Sequence, residues 1–345
     1  MKIGITKLIP ENIAPENVSS LAIFDGDTKI CDIDIAKMKP VLGEPLYSFG
    51  LLSDIHLWKT NSSSYAYSNE KFDNALSFLE NQNCALCVVC GDLTITGFYL
   101  RTDDADASTQ TLDEGQFAQY KEICDKHTIP VYELMGNHES YYGMPISDNL
   151  DKMETYTGKG ELSYTVAQGD DLFILCGQNH GSSVMSDEDF AWLEETLEAN
   201  KDKRCFVFIH PYIEEDSGDA MDVRENSIFD YWGTAKTTNF MNLMRQYDNV
   251  ILFHGHSHMK LECQELDVNA NYTERNGFKS VHVPSSATPR YAVYNEDTEK
   301  YESQNDNSAS QGYIVDVYND CIVLNGMNLI NNIPIPLGTY KIVTT

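Results

Sequence analysis

Apolar positions along this chain follow two rhythms that take turns. Short apolar runs that stop at glycine or a polar residue read as buried strands, and apolar stripes of period 3.6 read as helices. From residue 46 onward the two alternate. A strand over 46–53 precedes a helix carrying Phe72, Ala75, Leu76 and Leu79. A strand over 85–90 precedes a helix carrying Phe117, Tyr120 and Cys124, and a strand over 129–134 follows. Segments 162–167 and 171–177 read as a hairpin around Gly169-Asp170. Ser186-Asp187-Glu188-Asp189 places an N-cap serine three residues before an acid, which starts a helix continued by Phe190, Leu193 and Leu197. Next come a strand over 204–209, a helix with Phe240, Leu243, Met244 and Tyr247, and a strand over 249–253. After residue 258 the pattern turns to strands at 279–283, 312–318 and 321–327. Alternation of this kind predicts an α/β fold.

Residues 1–45 break the rhythm. Leu21-Ala22-Ile23-Phe24 and the run 30–35 flank Asp25-Gly26-Asp27, a turn signal, so this segment reads as a small N-terminal β-hairpin appendage to the domain of residues 46–345. Polar stretches at 101–114 and 295–311 read as surface loops. The connection 211–236 has the length of a functional lid and is a candidate substrate wall. It carries Tyr212, Arg224, Tyr231 and Trp232. Such side chains suit stacking on a base or pairing with a phosphate, and equally suit packing the connection onto the body. Arg290, after the strand at 279–283, is a further substrate candidate.

Composition narrows the partners. The 345 residues are 42% hydrophobic, enough for a sizeable core. The net charge is −29, from 53 acids against 24 bases, so duplex nucleic acid and anionic membranes are disfavoured as partners. An anionic substrate then needs strong local positive charge, which bound metal ions supply. No apolar run approaches a membrane span, and the first residues lack the apolar core of a signal peptide. Nine cysteines, an odd number spread through strands and helices, point to reduced thiols and a cytoplasmic setting rather than a disulfide framework. Cys84-x-x-Cys87-x-x-Cys90 has metal-cluster spacing, but it lies in an apolar strand without a fourth ligand and reads as core. The sequons at Asn17, Asn61 and Asn271 read as incidental.

The chemistry gathers at the ends of the predicted strands. Asp54-Ile55-His56 follows the first, Gly91-Asp92 the second, and Gly136-Asn137-His138-Glu139 the third. His210 ends the strand at 204–209, and Gly255-His256-Ser257-His258 follows the strand at 249–253. In open α/β sheets ligands bind outside the carboxyl ends of strands. Aspartate, asparagine and histidine are oxygen and nitrogen donors for divalent metals, and this mixture suits manganese, iron, zinc or cobalt. Singly, Asp-x-His and Gly-Asp are common turn strings. All five pieces in order, each at a strand end, argue against coincidence.

The set resembles the calcineurin-like metallophosphoesterase superfamily over roughly residues 46–330. Leu52-Ser53-Asp54-Ile55-His56-Leu57 is most similar to its class III cyclic-nucleotide phosphodiesterase branch. The resemblance implies a four-layer α/β/β/α sandwich whose catalytic domain, residues 46–345, holds two metal ions. It implies that Asp54, His56 and His258 hold one ion, that Asn137, His210 and His256 hold the other, and that Asp92 bridges them. Two cations about 4 Å apart lower the pKa of a shared water, and the resulting hydroxide attacks phosphorus. His138 is implied as the catalytic group beside the substrate, a small phosphodiester or phosphomonoester with a nucleotide among the candidates. Many relatives carry an aspartate three residues after the bridging one to orient this histidine. Here that residue is Ile95, so orientation is expected from a threonine or Glu139. Ile95 also departs from the purple acid phosphatases, which place a metal-binding tyrosine there. A nuclease acting on short single strands, a non-catalytic scaffold of the same fold, and docking through residues 1–45 are the alternative readings.

Overall fold

The computed structural model describes residues 20–25, 28–34, 43–58, 67–95, 97, 114–139, 145–178, 185–213, 228–266, 270–297 and 299–344. Contacts divide the chain into Met1–Pro45 and Leu46–Thr345. In the first unit β1 (Ser20–Asp25) pairs antiparallel with β2 (Thr28–Asp34).

The second unit opens with β3 (Tyr47–Leu52), α1 (Ser68–Asn81), β4 (Cys87–Val89), α2 (Gly115–Cys124), β5 (Val131–Glu133) and α3 (Ile146–Thr157). It continues with β6 (Ser163–Gln168), β7 (Asp171–Cys176), α4 (Asp187–Ala199), β8 (Cys205–Ile209), α5 (Ile228–Met244) and β9 (Val250–His254). The remaining strands are β10 (Tyr272–Thr273), β11 (Lys279–His282), β12 (Arg290–Asn295), β13 (Lys300–Asn305), β14 (Gln311–Val317), β15 (Cys321–Asn328), β16 (Ile333–Pro334) and β17 (Tyr340–Val343). One sheet runs β16-β15-β14-β3-β4-β5, with β17 also paired to β15, and the other runs β10-β11-β9-β8-β7-β6. β3, β4 and β5 are mutually parallel, as are β7, β8, β9 and β11.

Period-two alternation builds the layers. Phe49 and Leu51 of β3 meet Phe173, Phe206, Phe208 and Phe253 of β7, β8 and β9 in a core between the sheets. The rings pack edge-on or stacked, with Phe49 and Phe173 centroids at 5.0 Å. Leu52 and Val89 point the other way, onto Phe72, Leu76 and Leu79 of α1 and Phe117 and Tyr120 of α2. On the far sheet Val207, Ile209 and Leu252 turn outward onto Leu193 and Leu197 of α4 and Phe240 and Met244 of α5. Two sheets between two helical layers make the α/β/β/α sandwich. Ser186 caps α4, its Oγ accepting from the Asp189 amide at 3.0 Å.

Three local readings change. Residues 146–157 form α3, whose apolar stripe of Ile146, Leu150 and Met153 is too short to stand out among polar residues but joins the core beside α2. The 295–311 stretch is not a simple loop, because β12 and β13 pair from Arg290↔Asn305 to Asn295↔Lys300. Its polar sequence hid a solvent-facing hairpin whose Ala292 and Tyr301 pack on Met259 and Cys263. The 211–236 connection is partly helical, since α5 begins at Ile228 and runs through a kink at Gly233. Arg224 and most of 101–114 lie outside the described residues. Cys84 and Cys87 pack in the helix-side core and Cys90 in the inter-sheet core, so the three thiols do not converge.

Candidate metal centre

Both sheets present the carboxyl ends of their parallel strands to one place. Asp54 and His56 follow β3, Asp92 follows β4, and Asn137 and His138 follow β5, while His210 follows β8, and His256 and His258 follow β9. The loops are stitched directly together. The amides of Asp54 and His56 donate to the carbonyls of Gly91 and Asp92 at 3.1 and 3.0 Å, and the Gly255 amide donates to the His210 carbonyl at 3.1 Å.

The local backbone is unusual. Asp54, His56, Asp92, His256 and His258 all have positive φ, between 41° and 71°. Non-glycine residues seldom adopt this left-handed conformation, and where several cluster the surroundings must over-determine them. The inter-loop hydrogen bonds do so here. Glycines allow the approach: a Cβ on Gly136 would stand 2.2 Å from Asp92 Oδ1, and one on Gly255 would stand 2.1 Å from Ser53 Oγ.

Each aspartate gives one oxygen to the protein and turns the other to the histidines. Asp54 Oδ2 accepts from Ser53 Oγ at 2.5 Å and from the His256 amide at 3.1 Å. Its Oδ1 is buried, accepts no hydrogen bond, and lies 3.0 Å from His258 Nε2. Asp92 Oδ1 accepts from the His138 amide at 3.0 Å. Its Oδ2 is likewise buried without a hydrogen bond, 3.1 Å from His210 Nε2 and 3.8 Å from His56 Nε2. Buried carboxylate oxygens without donors are costly and rare in a folded protein.

The histidines complete a cation trap. His56 and His258 face each other at 3.0 Å between Nε2 atoms, and His210 Nε2 is 3.1 Å from His256 Nδ1. Nitrogens at these separations are close enough that one cation could be held by both members of a pair. His210 Nδ1 donates to the Cys90 carbonyl at 2.7 Å, and His258 Nδ1 donates to the Thr288 carbonyl at 3.2 Å, leaving each Nε2 for the centre. One ligand atom each from Asp54, His56, Asp92 and His258 falls within 4.8 Å of the others, and the same holds for Asp92, His210 and His256. Asp92 belongs to both groups. Asn137 is buried between Gly136 and His138, both of which touch Asp92.

The electrostatics favour positive charge. Burial opposes the charged form of Asp54 and Asp92, but the histidines opposite outweigh it and hold both below the usual carboxylate range. Burial likewise opposes His210, yet Asp92 and Asp54 push its imidazole up to about 10. Burial pushes His256 down to about 3, helped by His210, and lowers His56 well below its ordinary value. The residues present therefore fit a pair of cations that shares Asp92.

His138 is oriented by a group the sequence does not reveal. Its Nδ1 donates to the Ile95 main-chain carbonyl at 2.5 Å, and its Nε2 lies 3.7 Å from Asp92 Oδ2. Neither a threonine nor Glu139 makes that contact. Glu139 serves the loops instead, accepting from the amides of Asp92, Thr94 and Gly136. Burial raises its carboxyl to about 7, though these amide donors favour the ionised form. Ser53 and Thr288 touch Asp54 and His258; Ser53 adjoins the first motif, whereas Thr288 lies 30 residues beyond the last.

The substrate candidates separate. Tyr212 is buried with its ring nearly parallel to His256, centroids 6.3 Å apart. Trp232 is buried in the core beneath α4 and α5, edge-on to Phe240 at 5.0 Å, so packing accounts for it. Arg290 donates from Nε to Asn305 Oδ1 at 3.1 Å across the β12–β13 hairpin, and its amide bonds the His258 carbonyl at 2.7 Å. Asn271, one of the sequons, is buried and donates to the Leu261 and Leu337 carbonyls.

Residues 47–260 match a family model described as Calcineurin-like phosphoesterase. Among solved structures the chain is similar to a dimetal phosphatase from Danio rerio, with a TM-score of 0.60 at 13% identity over 88% of this chain and 100% of that one. It is similar to purple acid phosphatase PPD1 from yellow lupin, with a TM-score of 0.53 at 13% identity over 88% of this chain and 54% of that one. It is also similar to GAP50, described as the anchor in the inner membrane complex of Plasmodium, with a TM-score of 0.52 at 13% identity over 87% and 89% of the two chains. These likenesses concern the fold. No curated protein matches the chain. Among the described residues no helix is long and apolar enough to cross a membrane.

Proposed function

Because the chain belongs to the calcineurin-like phosphoesterase family, we propose that it hydrolyses a small phosphodiester or phosphomonoester at a two-cation site. That site comprises Asp54, His56 and His258 on one side, Asn137, His210 and His256 on the other, and Asp92 between them. Membership makes the chain a phosphoric ester hydrolase with a dinuclear metal site. The observation that carries the residue assignment is the place of Asp92 in both ligand groups, with its buried Oδ2 accepting no hydrogen bond.

Bound cations would supply an activated water and neutralise phosphoryl charge. The chain's own residues do the rest. The Cys90 and Thr288 carbonyls fix the ring orientation of His210 and His258. Ile95 holds His138 with Nε2 on the Asp92 side; burial lowers its imidazole, and only in the protonated form does Nε2 donate to the phosphoryl group or to the leaving oxygen. His138, with 17% of its side chain exposed, is more accessible than Asp54, His56, Asp92 or His210. Exposure of this kind suits a group that meets substrate. The net charge of −29 favours a small substrate over a polyanion. The Leu52–Leu57 string favours a cyclic-nucleotide-type diester, with Tyr212 beside His256 as an aromatic candidate.

The test is hydrolysis of bis-p-nitrophenyl phosphate. Activity is expected to require added manganese, iron, zinc or cobalt and to collapse in Asp92→Ala and Asn137→Ala. Undiminished activity of both variants after metal stripping would sink the reading. Cyclic AMP assayed beside a labelled oligonucleotide separates a small-diester enzyme from a nuclease.

A further inference from the structure

Glu139 ends the Gly-Asn-His-Glu string, and its contacts give it a task separate from those of the ligands. Its side chain is buried, and its two carboxylate oxygens accept four hydrogen bonds. Oε2 takes the Asp92 amide at 3.1 Å and the Gly136 amide at 2.7 Å. Oε1 takes the Thr94 amide at 3.0 Å and the Thr94 hydroxyl at 3.1 Å. One carboxylate thus joins the loop after β4, which carries Asp92, to the loop after β5, which carries Asn137. Asp92 sits at φ 53°, outside any strand or helix, so its amide has no regular partner and needs this acceptor. The two loops also touch without slack, because even a methyl group on Gly136 would overlap Asp92 Oδ1.

We propose that Glu139 is a positioning residue that sets the distance between Asp92 and Asn137, and thereby the affinity for the second cation of the pair. The proposal rests on the dinuclear reading above. It weighs more on one cation than on the other: Asp92, whose amide Glu139 holds, belongs to both ligand groups, and Asn137 shares the loop of Glu139, whereas Asp54, His56 and His258 lie in the β3 and β9 loops, which Glu139 does not bond. A glutamine at this position keeps the shape but turns N–H groups toward N–H donors, so one oxygen's worth of acceptors is lost.

The experiment is titration of Glu139→Gln with Mn2+ by calorimetry, with electron paramagnetic resonance to read spin coupling between paired ions. Wild type is expected to bind two ions and show the coupled signal. The variant is expected to keep the first ion and to bind the second about 10- to 100-fold more weakly, with the coupled signal returning at high Mn2+. A variant that melts earlier yet binds both ions as wild type does overturns the proposal, because a purely structural brace would do that. If Glu139→Gln does not fold, Thr94→Val removes one of the four donors and leaves the carboxylate. Weakening of the second ion alone then supports the proposal, and unchanged affinity for it overturns it. Wild type that binds fewer than two ions overturns the dinuclear reading itself, an outcome distinct from a variant that matches a two-ion wild type.

Discussion

At the amino ends of the strands, Tyr47, Asp171 and Arg204 meet in a closed network; at the carboxyl ends, Asp54 and Asp92 face four histidines. Both regions bury charge. In the first, Arg204 grips Asp171 with two hydrogen bonds at 2.9 and 2.7 Å, and the Tyr47 hydroxyl adds a third at 2.6 Å. Arg204 also reaches the Tyr318 carbonyl at 2.7 Å. Burial raises the Tyr47 hydroxyl beyond its ordinary range, reinforced by Asp171, so it stays a donor. In the second, Asp54 Oδ1 and Asp92 Oδ2 have nothing beside them but histidine nitrogens. A satisfied buried pair ties β3 to β7 and needs nothing further. Orphaned acceptors beside histidine nitrogens keep their capacity for an incoming cation.

The sharpest way to break this contrast is to remove one aspartate from each end. Asp92→Ala is expected to lower turnover about a thousandfold, since several kcal/mol of charge stabilisation depends on the pair. Its melting temperature should respond less to added Mn2+ than that of wild type. Asp171→Ala is expected to lose about 3–5 kcal/mol of unfolding free energy, because Arg204 is left buried without its partner. Its Mn2+-dependent rise in melting temperature should equal that of wild type. Equal Mn2+ responses in the two variants would erase the distinction between the two ends.

His138→Gln probes the boundary between holding metal and reacting. Turnover is expected to fall about a hundredfold or more, with two ions still bound. Loss of an ion would move His138 from the reacting groups to the ligands. The smallest effect concerns Lys71 of α1, whose ammonium donates to the Ala287 and Asn307 carbonyls at 2.5 and 2.8 Å behind the site. Burial pushes it down to about 8 from an ordinary 10.5. Between those values the unfolded chain binds the proton more tightly, so this group's contribution to stability rises with pH. The stability difference between wild type and Lys71→Met is therefore expected to shift in favour of wild type from pH 8 to 10.5, as read by urea melts. A flat difference would place Lys71 outside the pH response.

Motif strings made the site legible, because each proposed ligand sits at the end of an apolar run that declares its own strand. Gly-Asn-His-Glu after β5 and Gly-His-Ser-His after β9 are local signals of this kind. Other parts were hidden for specific reasons. α3 has only Ile146, Leu150 and Met153 to mark it, and β12–β13 is polar because it faces solvent. Trp232 looked like a wall of the site because aromatic residues in a connection do not announce which side they pack on. The Ile95 carbonyl that orients His138 has no sequence signature at all, since every residue carries a carbonyl.

The order of the strands and helices that carry the site, the two-faced burial of the central strands and the identity of the donor atoms were determined by the sequence alone. They depend on residue type and spacing along one segment, and period two or 3.6 is enough to read them. Only the tertiary structure decided which oxygen of Asp54 and Asp92 stays unbonded, which carbonyl aims each histidine, and that Glu139 joins two loops. Those choices depend on partners some 40 to 200 residues away in the chain. They also depend on left-handed backbone at five of the proposed ligand positions, conformations that hold only when neighbouring loops supply the hydrogen bonds that fix them.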